Sequence, residues 1–162
     1  MSVWAAAAGP ASAPATGTPD AAQVKAAHDM LAAMQAEKKL RMTAGMSKYP
    51  NPAQRELTMA KVVKVPPETV YTRLAVPVAK LVSTETALEM THYYQSSYGR
   101  KVLEQTYNGP PQMFPKDPTP TAAEKAELKK PAFIKANTEF KAAERAIGRE
   151  TFLLLNEISR GK

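Results

Sequence analysis

Apolar residues recur every three or four positions along most of this chain, the spacing of an amphipathic α-helix. The first stripe is Val24, Ala27, Leu31 and Met34, with His28 beside it. Asp20 precedes it and Gln23 stands three residues on, so a capping box is predicted to open a helix there. Residues 38–47 are helical in composition and read as a second helix or as a continuation of the first. Pro50-Asn51-Pro52 is a stop and a restart, because Asn51 can cap and Pro52 suits a first helical position. The helix predicted over 53–64 turns Leu57, Ala60 and Val63 or Lys64 inward. Pro66-Pro67 ends it. Residues 68–82 follow, with Val70, Leu74, Val78 and Leu81 on one face. Pro77 lies inside this segment and is predicted to kink or split it near Arg73, whose carbonyl loses its partner.

Ser83 or Thr84 can cap the next helix, where Ala87, Met90 and Tyr94 share a face flanked by Tyr93. The stretch YYQSSYGRKVL, residues 93–103, then reads as a corner. Ser96 can end one helix and cap the next. Gly99 would let another backbone approach closely, and Val102 and Leu103 would point back to the core. Residues 108–120, NGPPQMFPKDPTP, hold too many prolines for a helix and are predicted to form a long surface loop. Thr121 and Glu124 make a second capping box for a short helix that Pro131 interrupts. The last helix is expected to reach Ile158, with Phe133, Ile134, Phe140, Ala143, Ile147, Leu154 and Ile158 inward. Gly148 weakens it by roughly 1 kcal/mol relative to alanine. KVVKV at 61–65 is the best strand candidate, and it abuts a helical pattern. The expected fold is therefore all-α, a single helical bundle of about six to seven helices over residues 20–162. A faint echo relates Leu88…Tyr93-Tyr94 to Leu128…Phe133-Ile134, without a second glycine.

Composition changes the picture at the N-terminus. Residues 1–19 are alanine, proline, glycine, serine and threonine with no charge before Asp20. Such a segment buries too little to offset its ordering entropy, so a disordered tail is expected, with Trp4 exposed. Ala11-Ser12-Ala13 has the small-x-small pattern of an export-signal cleavage site, but a basic n-region and a leucine-rich h-region are missing. The segment reads as the remnant of an export signal or as a plain flexible tail, and composition favours the first. No apolar run is long enough to span a membrane.

The formal charge is +7, with 22 basic and 15 acidic residues. A basic balance raises nucleic acid, anionic lipid or an acidic protein as partners. Acids are interleaved with bases, however, and even Lys38, Lys39 and Arg41 have Glu37 beside them. A solvated helix face is the expected reading of that group. With no cysteine there is no disulfide, thiolate metal site or thiol nucleophile.

The stretch TETALEMTHYYQSSYGRKVLEQ resembles the signature of the bacterial family called domain of unknown function 2059. Tyr93 and Tyr94 fill its aromatic pair, Ser96 its serine, Gly99 its glycine, and Val102 and Leu103 its apolar pair. Ser97 stands where proline is usual, a mild departure, since both suit a first helical turn. The likeness covers about residues 66–105. It implies a small, all-helical, usually exported protein, and it implies no activity.

Catalytic and metal chemistry find little support. Glu89 and His92 have the Glu-x-x-His spacing of di-iron bundles, but Lys25 stands where His28 would need a glutamate. His28 and Asp29 are adjacent on a helix, about 100° apart, and are expected not to face each other. No Ser-His-acid set or phosphate-cradling glycine loop is visible. Eight methionines, among them Met30, Met34, Met42 and Met46, are expected to pack in the core. Tyr94 is expected in the core, with the hydroxyls of Tyr93 and Tyr98 toward water. The expectation is a non-catalytic protein without cofactor or metal, exported to the bacterial periplasm or envelope. It would meet a protein partner through a helix groove or the proline-rich loop, with Tyr98, Met113 and Phe114 as candidate contacts. The rival readings are a cytosolic nucleic-acid-binding bundle and a carrier of an apolar molecule or lipid between helices.

Overall fold

Caps and prolines divide the chain. The computed structural model describes residues 17–109 and 116–162, and among them are eight helices and no strand. Helix α1 spans Ala21–Ala33, α2 Ala36–Met46, α3 Pro52–Lys64 and α4 Pro67–Ala79. Helix α5 spans Thr84–Gln95, α6 Ser97–Asn108, α7 Ala122–Leu128 and α8 Pro131–Ser159. The expected N-terminal tail falls almost wholly outside the described residues, as do Trp4, Met113 and Phe114.

The predicted caps form. Asp20 and Gln23 exchange bonds of 2.8 and 2.7 Å, and Thr121 and Glu124 do the same at the start of α7. Asn51 accepts from the Gln54 amide, and Ser83 from the Thr86 amide. These side chains hold amides that a helix start leaves without a partner.

One boundary has no such signal. Gln35 adopts φ 58°, ψ 53° and separates α1 from α2, so residues 36–46 form a helix of their own. A non-glycine residue in this left-handed region costs about 1 kcal/mol. The break lets Leu31 on α1 and both Ala36 and Leu40 on α2 reach one core. A straight helix could not aim all three there.

Further expectations are corrected. Helix α4 runs through Pro77 as one helix and ends two residues later, at Ala79. The proline sits in the last turn, so it terminates the helix instead of splitting it. On α3 the inward face is Thr58 and Val62, with Met59 packed beside them, while Ala60 is exposed and Leu57 and Val63 are 58% and 59% exposed. The inward positions lie one residue from those predicted, a rotation of about 100°. Thr58 is buried where its hydroxyl approaches Ser159, and Lys61 donates to the Ser159 carbonyl, so the C-terminus of α8 sets the rotation. Ile134 and Met46 likewise face outward. With Ile134 exposed, the echo with Tyr94 does not extend to packing, although Tyr93 and Phe133 stack on each other.

The core lies between two layers. Helix α1 packs on α4 and α5. Helix α8, about 43 Å long by its 29 residues, crosses the other side of α5 and also meets α2, α3, α4 and α7. Met30, Leu31, Leu40, Leu74, Val78, Met90, Phe140, Ile147 and Leu154 fill the space between. Glu139 on α8 ties the layers, accepting from the Ser83 amide and from the hydroxyls of Ser83 and Thr86. No helix among the described residues is long and apolar enough to cross a membrane.

Candidate ligand-binding cleft

The corner at Ser96 decides where α6 goes. Ser96 is the last cap of α5 and the first of α6: its hydroxyl accepts from the Gly99 amide at 3.2 Å and donates to the Tyr93 carbonyl at 2.5 Å. Gly99 lies against that same carbonyl, which a Cβ would meet at 1.9 Å. Only a glycine lets the two backbones come this close.

The aromatic residues brace the corner. Tyr93 stacks on Phe133 of α8 with ring centres 4.9 Å apart, and it meets Tyr94 edge-on at 5.1 Å. Tyr94 meets Phe140 edge-on at 6.2 Å. Burial, then the neighbouring Tyr98, pushes the Tyr93 hydroxyl up to about 12. Burial likewise raises Tyr94 well above the usual phenol range. Tyr98 is only 9% exposed, and its hydroxyl donates to the Pro118 carbonyl at 3.0 Å. The expectation of Tyr98 as a surface contact is corrected. It binds the end of the proline-rich segment to α6.

Glu124 joins α7 to this corner. It accepts from Lys101 at 2.7 Å, from Ser97 at 2.8 Å and from the Thr121 amide at 2.9 Å. Lys101 first, then the Thr121 amide and Ser97, hold its carboxyl down to about 2. The recess bounded by Glu89, His92, Tyr93, Tyr98, Glu124 and Phe133 has a volume of about 50 Å3, room for a few waters. Among the described residues no three acidic or histidine side chains group as metal ligands.

The far end of α6 is tied more lightly. Tyr107 donates to the Met34 carbonyl at 3.3 Å, at the joint between α1 and α2. Lys38 stands over the Tyr107 ring at 5.9 Å. Between these two ties α6 packs chiefly on α5 and stands away from α8.

A cleft of about 590 Å3 lies in the gap. Its deep surface is apolar and buried: Leu31, Ala36, Leu103, Phe140 and Ile147. Met34, Tyr94, Val102 and Tyr107 form half-buried walls, and Thr151 turns its hydroxyl to the Ile147 carbonyl. Lys39, Thr106, Glu144 and Arg145 are exposed around it. A second opening of about 380 Å3, toward Tyr98 and Asp117, shares Tyr94, Val102, Phe140 and Glu144 with it. The volume falls within the roughly 300–1,000 Å3 of small-molecule sites, and so does the mix of apolar walls with few polar groups.

Thus Tyr94, Val102 and Leu103 of the corner stretch line the cleft, while Tyr93, Ser96 and Gly99 set the angle of α6. Lys39, Phe140, Arg145 and Ile147 belong to the cleft without having been singled out for it. The only signal for Phe140 and Ile147 is helical spacing, the two being two turns apart, and that spacing equally describes a closed core; Lys39 and Arg145 carry none.

A second polar group lies where α1 meets α4. His28 bonds Glu68 of α4 at 2.7 Å and Asp29 at 3.1 Å, so the two adjacent side chains do meet. The imidazole and carboxylate bend toward each other across the helix surface, which the 100° between their Cβ directions does not prevent. Asp29 and then Glu68 raise the imidazole above its ordinary value. Tyr71 stands edge-on to His28 at 5.9 Å and donates to Glu37 at 2.5 Å. Each of these groups has a partner within the fold. They bind α1, α2 and α4 together.

Comparison with protein families, curated proteins and solved structures found no match.

Proposed function

We propose that this chain is a non-catalytic binding protein whose cleft beneath α6 takes up an apolar small molecule. The observation that carries the reading is the unfilled space of about 590 Å3 between α6 and α8, floored by buried aliphatic and aromatic side chains. A protein interior is ordinarily packed to the density of an organic crystal. A space this large exposes apolar surface that a ligand would cover. The bacterial envelope is the proposed location, supported by the resemblance at Tyr93–Gly99 and by the small-residue pattern before Asp20.

The test is saturable binding of an uncharged, environment-sensitive apolar dye. We expect one dye per chain, lost in Val102→Trp, where the larger ring occupies the cleft from its half-buried wall. No saturable binding, or binding that Val102→Trp leaves intact, refutes the reading. Action through a protein partner is the second reading. Its support is the outward apolar pair Leu57 and Val63 on α3, and an unchanged pull-down with both replaced by serine would count against it.

A further inference from the structure

The cleft is not evenly apolar. Its floor carries no charge, and its charged side chains are gathered at the exposed margin. Lys39 comes from α2 and Arg145 from α8, two helices that pack on each other and together face α6. Neither cation enters one of the ion pairs among the described residues. Lys25, Arg73, Lys101 and Lys130 each hold a carboxylate within 3 Å, whereas Lys39 and Arg145, like most other cations of the chain, enter no ion pair among the described residues and remain available to a ligand at the margin. Glu144 also reaches the margin, so two cations and one carboxylate leave one positive charge over an apolar floor.

We propose, resting on the reading of the cleft as an apolar ligand site, that its ligand is a single-chain fatty carboxylate. The acyl chain lies along Leu31, Leu103, Phe140 and Ile147 beneath α6, and the carboxylate meets Lys39 and Arg145 at the mouth. An arginine suits this role because its planar fork matches a carboxylate. A lysine beside it adds a mobile donor. A neutral apolar ligand would leave both cations unused, and a compact anion would leave the floor uncovered. The amphiphile satisfies both parts of the site.

The experiment compares dodecanoate with dodecanol, each below its aggregation concentration, against the full chain by isothermal titration. The tails are identical and only the head differs. We expect dodecanoate to bind about tenfold more tightly, the scale of one charge-assisted contact. Lys39→Gln with Arg145→Gln should abolish that preference, bringing the two ligands to equal affinity. Glu144→Gln should widen the preference for dodecanoate over dodecanol. All three substitutions lie at exposed positions, and circular dichroism checks that the fold survives. Equal binding of acid and alcohol, or a preference that survives the double substitution, overturns the fatty-carboxylate assignment while the apolar-ligand reading stands. Binding of neither ligand, together with loss of dye binding, overturns both.

Discussion

Replacing Gly99 with alanine should damage this protein far more than one added methyl suggests. The new Cβ would lie 1.9 Å from the Tyr93 carbonyl oxygen, 2.7 Å from its carbon and 2.8 Å from the Tyr94 Cα. Non-bonded carbon atoms settle at about 3.5–4.0 Å, so α6 has to retreat by roughly 1 Å or more. All three clashing atoms are backbone, and no rotamer change can relieve them. Overpacking of this kind costs about 1–3 kcal/mol. The retreat also stretches the 3.2 Å bond from the Gly99 amide to Ser96, and a lost N-cap adds about 1 kcal/mol. The sum is about 3 kcal/mol. A chain of this size loses about 2–4 °C of Tm per kcal/mol, so a fall of roughly 6–12 °C is expected. Urea unfolding followed by far-UV circular dichroism measures it. Gly148→Ala is the control: its Cβ meets nothing within 4 Å, and it should raise stability by about 1 kcal/mol. A Gly99→Ala protein as stable as its parent would refute the close approach of the two backbones, and with it the account of how α6 is set.

Three further outcomes are expected. Glu124 has a folded-state value depressed from 4.5 to about 2, so its contribution is complete above pH 4.5 and is lost as the pH falls toward 2. Glu124→Gln should therefore flatten the urea midpoint over that window, and an unchanged slope would contradict the Lys101 pairing. Glu139→Ala leaves the Ser83 amide and two hydroxyls without their acceptor and should cost about 2 kcal/mol in the same assay. Val62→Ala should cost about 1–3 kcal/mol, while Leu57→Ser stays within about 0.5 kcal/mol. The reverse order would mean that α3 is turned the other way.

Much of the fold was legible because it is punctuated by residues with one physical meaning. Asp20, Asn51, Ser83, Ser96 and Thr121 cap where they were expected to, and the all-α class follows. What was missed has a common cause, namely contacts distant in the chain. Gln35 carries no turn signal, and its left-handed backbone follows from the burial of Leu31, Ala36 and Leu40 in one core. The rotation of α3 follows from Thr58 and Lys61 meeting Ser159, about a hundred residues on. The cleft is a gap between helices, and no residue spells a gap. Met34, Tyr94, Val102, Leu103, Phe140 and Ile147 were read as parts of apolar faces, Ala36 and Tyr107 were not, and only the assembled helices show that two of those faces fail to touch.

The stiff corner and the lighter ties near Tyr107 together make α6 a lever. Its twelve residues span about 18 Å, with a stiff pivot at Ser96 and, near the other end, the 3.3 Å Tyr107 bond, Lys38 over the Tyr107 ring and a bond from Gln105 to the Lys116 carbonyl. A rotation of roughly 10° about the pivot carries the Tyr107 end about 3 Å over that length, close to the width of a methylene chain. The floor beneath barely needs to move. On the proposed reading of the cleft, the molecular widths it could admit would then be set by one glycine and one serine, both outside its lining.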